Sequence, residues 1–153
     1  MRRLRRKFKR PRAPWDAARI EEEAKILREF GLRRKREIRK AEAIVRNFRR
    51  RARTLIAVKD EDKTKILLGR LAELGLIQKG QGLDQVLQLK ASNILGRRLQ
   101  TIVYKKGYAS SIKDARQKIV HGRVYLEGRK TTFPSYIVPA EKEVLIQVKG
   151  EKK

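Results

Sequence analysis

The chain has 153 residues, 40% of them apolar, and its 42 Lys and Arg against 17 Asp and Glu give a formal net charge of +25. The apolar fraction is large enough for a modest core, which excludes a wholly disordered chain. A compact chain with so large a positive surplus repels itself unless a polyanion neutralises it, so the expected partner is nucleic acid.

Several other kinds of protein are excluded by what the sequence lacks. With no Cys and a single His, it offers little for disulfides, zinc sites or histidine-based catalysis, and we expect no metal and no cofactor. It has no run of about 18 apolar residues and no signal-peptide or lipidation pattern, so we expect no membrane partner. An anionic membrane surface is the weaker alternative to nucleic acid, because it requires a helix with a bulky apolar face.

Residues 1–14 are predicted to form a basic arm. Seven of the first ten residues are Lys or Arg, and Pro11 and Pro14 prevent a continuous helix there. Blocks of like charge at a terminus often bind polyanions, so we expect the arm to become ordered on phosphates. Its candidate RNA contacts are Arg2, Arg3, Arg5 and Arg6.

The next stretch predicts two helices. Asp16 is placed to cap the first helix, the acidic run at residues 21–23 lies early in it, where the helix dipole favours negative charge, and Gly31 ends it. In the second, longer helix apolar residues recur at spacings of three and four, which predicts a seam that packs on another helix. The seam consists of Ile38, Ala41, Val45, Phe48, Ala52 and Leu55. The other faces carry the candidate RNA contacts Arg33, Arg34, Lys35, Arg36, Arg46, Arg49, Arg50 and Arg53.

A third helix is predicted from about residue 63 to residue 74, with Leu67, Leu71 and Leu74 facing inward and Gly75 as its stop. A turn at QKGQG and a short helix at LDQVLQL follow, and the helix pattern breaks near residues 91–93. Residues 15–92 are therefore predicted to form a basic, all-helical module that binds nucleic acid.

From residue 93 the pattern changes. Apolar spacing predicts one amphipathic helix over residues 93–106, ended by Gly107. Ser111 and Asp114 form a capping-box pattern that opens a second helix, and Gly122 closes it. Three segments then alternate like short strands: RVYLEG, TFPSYIV and EVLIQV.

The predicted fold class of the whole chain is α+β. A basic all-helical module precedes a small domain at residues 93–149, in which two helices pack on a short antiparallel sheet, and a tail covers residues 150–153. The sequence has no Gly-rich phosphate loop, no H-E-x-x-H and no nucleophile elbow, and His121 precedes a helix-ending Gly, as a cap or an RNA contact would. We therefore expect no enzyme.

The two helices of the small domain carry a further set of candidate RNA contacts. Polar residues occupy the faces of the first helix that the apolar set leaves free, and the start of the second helix, with Ser110 and Ser111, offers backbone amides to a phosphate. Tyr104 and Tyr108 add aromatic faces for stacking on a base or sugar. The set consists of Arg97, Arg98, Gln100, Thr101, Tyr104, Lys105, Tyr108, Ser110, Ser111, Lys113, Arg116, Gln117, Lys118, His121 and Arg123. No motif for reading DNA emerges, so recognition should depend on phosphate geometry, which suits folded RNA.

The segment RRLQTIVYKKGYASSIKDARQKIVHGRVYLEGRKTTFPSYIV resembles the small RNA-binding domain of the small-subunit ribosomal protein S-four family. Gln100 replaces the Asp that is usual in the family, and Glu127 replaces the usual Asn. The form RRLQT and the segments RPRAPWDAARIEEE, EFGLRRKREI and LDQVLQLKASNILGRRLQT are similar to the archaeal and eukaryotic branch, so the resemblance covers nearly the whole chain. The family's motif falls on Arg98, Leu99, Gln100, 107–111, Ala115, Arg116, Gln117, His121, Gly122, Val124 and Gly128.

The resemblance implies a structural constituent of the small ribosomal subunit in the cytoplasm, which binds the large RNA of that subunit early in assembly, at a helical junction of the 5′ domain. It also implies small-subunit protein S-five and other ribosomal proteins as neighbours. The implied location is near the channel through which messenger RNA enters, with messenger RNA as a candidate contact and an influence on decoding accuracy. Two alternatives stay open: a stand-alone RNA-binding assembly factor, and the targeting module of an RNA-modifying enzyme, which would need a larger catalytic domain.

Overall fold

The computed structural model describes residues 8–9, 11–78 and 80–149 of the chain. Five helices form the first unit of the fold. The second of them has 24 residues and contacts each of the other four, so it is the axis on which this unit packs. The helices are α1 (Ala17–Glu29), α2 (Lys35–Val58), α3 (Glu61–Glu73), α4 (Leu83–Gln88) and α5 (Ala91–Gly96).

Side-chain caps fix where α1 and α3 begin. The carboxylate of Asp16 accepts from the backbone N–H of Arg19, as predicted, and that of Asp60 accepts from the N–H of Lys63 at 3.1 Å. Gly31 follows α1 with a φ of +55°, a left-handed conformation that glycine adopts without strain. The first three predicted helices are therefore confirmed, with α3 starting two residues earlier than expected.

The predicted seam of α2 faces the core of the helical unit. Ile38, Ala41, Val45 and Ala52 are buried, and Phe48 and Leu55 are partly buried against the same cluster. Burial of a continuous apolar stripe is what holds a helix this basic in place, since its other faces repel one another. The remaining buried members of the cluster are Phe30, Leu32, Leu67, Leu71, Ile77, Val86, Leu89, Ile94 and Leu95.

The acidic run of α1 does not act through the helix dipole, because no acidic residue lies in the first turn. One member, Glu23, is instead buried among three cations. Its carboxylate lies 3.3 Å from Nζ of Lys35, 3.7 Å from Nε of Arg19 and 3.9 Å from Nε of Arg39. The run thus joins α1 to α2 by charge, a role that the spacing within one helix could not indicate.

The second unit contains two further helices and a three-stranded antiparallel sheet, which confirms the predicted α+β class. The strands lie in the order β2-β1-β3, with Leu126 opposite Arg129 on one side and opposite Ile146 on the other. The elements are α6 (Leu99–Lys105), α7 (Ile112–Val120), β1 (Val124–Leu126), β2 (Arg129–Lys130), a 3₁₀ turn (Glu141–Glu143) and β3 (Ile146–Val148).

The hairpin between β1 and β2 has two residues with positive φ. Glu127 has a φ of +52° and Gly128 a φ of +74°, as a two-residue hairpin turn that matches the sheet twist requires. Asn tolerates the positive φ at the first position better than Glu does, so Glu127 strains this turn more than an Asn would. The Glu127 carboxylate is held at 2.9 Å by Nζ of Lys142.

One predicted helix is in fact two. The prediction of a single helix over residues 93–106 was wrong, because the chain breaks between α5 and α6 at Arg97 and Arg98. There the N–H of Leu99 donates to the carbonyl of Tyr136 at 2.8 Å, and Arg98 forms an isolated bridge with Ile137. Backbone partners that lie far along the chain therefore replace the intrahelical hydrogen bonds at this point.

The strand predictions were also partly wrong. TFPSYIV contributes no strand to the sheet, and its one ladder contact is the bridge at Ile137. Pro134 lacks the N–H that a central strand needs, which accounts for the failure. The middle strand pairs instead with Arg129 and Lys130, where no strand was predicted. Of EVLIQV, only Ile146–Val148 is a strand.

The two cores divide between Leu95 and Leu99, whereas the sequence placed the division between residues 92 and 93. Helix α5 belongs to the helical unit because Ile94 and Leu95 pack on α2. The second core lies between α6, α7 and the sheet, and its buried members are Leu99, Ile102, Val103, Ala109, Ala115, Ile119, Val124, Leu126, Val138 and Ile146. The predicted tail, and Arg2, Arg3, Arg5 and Arg6 of the arm, lie outside the described residues.

Candidate nucleic-acid interface

Glu37, in the first turn of α2, joins the two units. Its Oε2 accepts from Nη2 of Arg98 at 2.6 Å and from Nη1 of Arg116 at 3.5 Å, while Oε1 accepts from the N–H of Arg33 at 3.2 Å. Burial raises the pKa of Glu37, but the hydrogen bond from Arg98 and the charges of Arg98 and Arg116 lower it by more, so the pKa lies below its usual value. The carboxylate is therefore ionised and holds both arginines in position.

Gln100 makes a second connection between the units. The side chain is fully buried; its Nε2 donates to the carbonyl of Phe30 at 2.6 Å and its Oε1 accepts from Nη1 of Arg116 at 3.3 Å. A neutral amide satisfies both neighbours, since it donates to a carbonyl and accepts from a guanidinium. The usual Asp of the family could not donate to Phe30, so the Gln at this position is matched to its surroundings.

A third contact between the units is apolar and close. A Cβ on Gly31, the residue that ends α1, would lie 2.8 Å from Cγ2 of Ile112 at the start of α7. That distance is shorter than real Cβ contacts, so only glycine allows the two segments to approach this far. Polar and apolar contacts thus fix the helical unit against the small domain.

A basic cleft of about 480 Å³ opens between the two units. We call it the junction cleft. Glu37 is the one carboxylate among the described residues that line it, and its apolar wall comes from α2, α5 and the segment 134–137. Six cations line it: Arg33, Arg34, Arg36, Lys40, Arg98 and Arg116.

The charges of the junction cleft are arranged to accept an anion. Arg33, Arg34, Arg36 and Lys40 come from one stretch of eight residues and are exposed, so their charged ends are available to solvent. A guanidinium group can donate two hydrogen bonds to the oxygens of one phosphate. The concave wall of the cleft also concentrates the positive electrostatic potential of these side chains. The cleft can therefore hold several phosphates of a nucleic-acid backbone.

The predicted RNA contacts omitted two residues of the cleft, Lys40 and Glu37. Lys40 lies four residues after Arg36 and so on the same helix face, a signal that the sequence contained. Glu37 is the one acid in the run RRKREIRK, which marked it as a partner for cations, but the sequence could not show that one of those cations lies 61 positions away.

Five polar residues were predicted on free faces of a helix at residues 93–106. Lys105 is exposed, but the prediction was wrong for Arg97, Arg98, Gln100 and Thr101. Gln100 and Thr101 are buried, and the hydroxyl of Thr101 donates to the carbonyl of Leu95 at 2.9 Å. Arg98 is also buried, in its ion pair with Glu37. The reason is the break before Leu99, which places these residues between packed elements rather than on an exposed helix.

The fourth of these residues, Arg97, is turned into the small domain. Its Nη1 donates to the carboxylate of Glu143 at 2.7 Å and its Nη2 to the carbonyl of Val138 at 3.0 Å. A Cβ on Gly75, at the end of α3, would lie 3.1 Å from the guanidinium carbon. Arg97 therefore connects the end of α3 with the segment before β3.

One backbone amide at the start of α7 already has a partner within the protein. The hydroxyl of Ser111 accepts from the N–H of Asp114 at 3.1 Å, as a capping residue should, but the Asp114 carboxylate accepts from both the N–H and the hydroxyl of Ser110. A carboxylate therefore already lies where a phosphate was expected. Lys118 donates to the carbonyl of Tyr108 at 2.7 Å and lies 3.6 Å from Asp114.

The other candidates are distributed over several surfaces, and their role in RNA binding stays a prediction. Lys35 pairs with Glu23, and Tyr108 packs against the second core. Arg50 lines a separate groove between α2 and α3. Arg46, Arg49 and Arg53 line a depression of about 360 Å³ beside α5. Tyr104, Lys105, Ser110, Ser111, Lys113, Gln117, His121 and Arg123 are exposed.

Neither a metal site nor a membrane span is found in the described part of the chain. No group of three or more His, Cys, Asp or Glu in residues 8–9, 11–78 and 80–149 could hold a metal ion. Within the same ranges, no helix is long and apolar enough to cross a membrane.

Comparison with known proteins gives a consistent result. The S4 domain family model matches residues 97–144, beginning at the break between α5 and α6. The chain is 47% identical over 148 residues to small ribosomal subunit protein uS4 of Ignicoccus hospitalis, covering 95% of this chain and 89% of that relative. It is 43% identical to the uS4 protein of Methanothermobacter thermautotrophicus over 145 residues (93% and 85%), and 43% identical to that of Saccharolobus solfataricus over 146 residues (93% and 81%).

Proposed function

The chain belongs to the small ribosomal subunit protein uS4 family, and on that premise we propose that its junction cleft binds the RNA of the small subunit. Family membership makes the chain a non-enzymatic, structural protein of the ribosome, which binds ribosomal RNA and neighbouring ribosomal proteins. The observation that carries the proposal is the junction cleft, where six cations from both units face a single carboxylate.

The composition of the cleft favours recognition of the RNA backbone. Arg and Lys supply the charge, and no aromatic side chain is among the described residues that line it, so bases have no stacking surface there. Phosphates that converge at a helical junction present the dense negative charge that such a cleft requires. We therefore propose contact with a helical junction of the RNA, and the family resemblance extends this proposal to a junction in the 5′ domain.

The contacts between the two units support binding early in assembly. Glu37, Gln100 and Gly31 hold the helical unit against the small domain through contacts within the protein itself. A protein whose binding surface is already ordered loses less conformational freedom on binding, so it can bind RNA without help from later proteins. The family resemblance extends this proposal to protein S-five as a neighbour, to a position beside incoming messenger RNA and to an effect on decoding accuracy.

Two measurements test the proposal. A tagged copy of the chain, expressed in an archaeal host, should co-sediment with mature small subunits in a sucrose gradient after a wash in high salt. In reconstitution without other proteins, the chain should bind a transcript of the 5′ domain and should protect the nucleotides of one junction. Recovery mainly in precursor particles would instead identify an assembly factor, and binding only after other proteins were added would contradict the early role.

A further inference from the structure

A second concave surface lies on the helical unit, between the last turns of α2 and the exposed side of α3. We call it the α2–α3 groove. Its volume is about 590 Å³, and the junction cleft shares no lining residue with it. The groove is lined by Arg50, Arg51, Thr54, Leu55, Lys63, Ile66, Leu67 and Arg70.

The floor of the groove is apolar. Ile66 is 71% exposed although Leu67, beside it, is buried in the core, and Leu55 is only partly covered. Val58 is 65% exposed and lies three residues after Leu55, so it continues the same stripe of α2. A single exposed Ile is ordinary, but a contiguous apolar strip between two helices is typical of a docking surface.

Four cations line the rim of the groove, and one of them, Lys63, is already paired with Asp60 at 2.7 Å. Arg50 and Arg51 stand on the α2 side, and Lys63 and Arg70 on the α3 side. Lys63 and Arg70 are seven residues apart, so the rim extends for about 10 Å, or two helical turns. The complementary ligand is apolar along one side and negatively charged along its edges.

We propose that the α2–α3 groove docks an acidic amphipathic helix from a neighbouring protein. Apolar side chains of that helix cover Ile66 and Leu55, and its carboxylates meet Arg50, Arg51 and Arg70. This inference goes beyond RNA binding by the junction cleft and does not depend on it.

RNA fits the groove less well. A phosphate backbone would satisfy the rim, but it would place charged and polar atoms against Ile66 and Leu55, which gain only from apolar contact. A splayed base would require an aromatic partner for stacking, and none is among the described residues that line the groove. The combination of apolar floor and basic rim therefore favours a protein segment.

The test measures the binding of a defined probe to the full chain by fluorescence anisotropy. The probe is a labelled helical peptide of about 14 residues, with Leu at positions i, i+3, i+4 and i+7 and Glu on its other faces. A second peptide carries Gln in place of Leu, so its charge is the same as that of the first. A single-stranded oligouridylate of similar length measures RNA binding. Ile66→Ser removes the centre of the floor, and Val120→Ser, at a residue that is 56% exposed on α7, is the matched control.

We expect the Leu peptide to bind the unaltered chain about tenfold more tightly than the Gln peptide. Ile66→Ser should abolish that difference and Val120→Ser should retain it, with far-UV circular dichroism unchanged for both variants. Equal affinity of the two peptides for the unaltered chain would overturn the proposal, because charge alone would then explain the binding. A loss of oligouridylate affinity in Ile66→Ser as large as the loss of Leu-peptide affinity would overturn it too, in favour of RNA. Neither result would bear on the junction cleft.

Discussion

Glu37 accepts a 2.6 Å hydrogen bond from Arg98, although 61 positions separate the two residues in the chain. The bond crosses from the first turn of α2 to the break before α6, and the same carboxylate oxygen lies 3.5 Å from Arg116. An arginine of the family motif that the sequence assigned to RNA is thus held by protein. Arg98 also lines the junction cleft, at the point where the two units contact each other.

Removal of Arg98 should destabilise the fold. Arg98→Ala leaves the half-buried carboxylate of Glu37 with only the more distant Arg116, and we expect a loss of about 1–3 kcal/mol in the free energy of unfolding. Urea denaturation followed by circular dichroism measures it. Lys142→Ala breaks the ion pair with Glu127 on the surface, and it should change stability little. Equal effects of the two substitutions would show that the Arg98 pair is no more than a surface contact.

The contribution of Glu37 to the free energy of unfolding should depend on pH. The pKa of Glu37 is lower in the folded chain than its ordinary value of 4.5. The stability that the Glu37 carboxylate supplies is therefore complete above pH 4.5, and it is lost as the pH falls through the pKa of the folded chain. The difference in unfolding free energy between the unaltered chain and Glu37→Gln should therefore be constant near neutral pH and shrink progressively below about 4.5. A difference that grew on acidification would contradict the assigned direction of the pKa.

The amide of Gln100 should not be replaceable by a carboxylate. Gln100→Glu places a buried negative oxygen against the carbonyl of Phe30, which we expect to destabilise the chain by about 1–3 kcal/mol at neutral pH, reduced by the attraction of Arg116. The loss should diminish at acid pH, because a protonated Glu can donate to Phe30. Gln117→Glu, on the exposed face of α7, is the control. A loss of the same size at every pH would indicate a packing defect instead.

Gly31 should be sensitive to the smallest substitution. Gly31→Ala combines a φ of +55° with a Cβ that would lie 2.8 Å from Ile112, and we expect it to cost about 1–3 kcal/mol. Gly69→Ala, in the middle of α3 with no atom within 4 Å of the new Cβ, should instead add about 0.5–1 kcal/mol of stability. If thermal unfolding showed both glycines to be equally tolerant, the close approach of α1 and α7 would be disproved.

The helices of the basic unit could be predicted from sequence because their causes are local. The seam from Ile38 to Leu55 follows the period of the α-helix, and Asp16 and Gly31 mark the two ends of α1. The sheet was harder to predict, because the geometry of the turn determines which residues pair with β1. Glu127 and Gly128 set the register, so Arg129 and Lys130 form a strand in a segment for which the pattern predicted none.

The site could be predicted only as a collection of charges. Arg33, Arg34 and Arg36 line the junction cleft as basic residues of a polyanion-binding chain should, because their exposure follows from their place at the start of α2. Arg98 and Gln100 could not be assigned, since their partners Glu37 and Phe30 belong to another unit. A helix pattern gives the face on which a residue lies, but it contains no information on what packs against that face.

The salt dependence of RNA binding tests the central claim most directly. The affinity of the chain for a transcript of the 5′ domain should be measured over a range of salt concentrations for two double variants. The first combines Arg36→Ala with Lys40→Ala in the junction cleft. The second combines Lys25→Ala with Lys65→Ala on exposed faces of α1 and α3. If the cleft holds phosphates, the log–log slope should become shallower by about 1.4–1.8 in the first variant, roughly 0.7–0.9 for each lost contact, and should stay unchanged in the second. Equal slopes for both variants would contradict the claim that the junction cleft is the RNA-binding site.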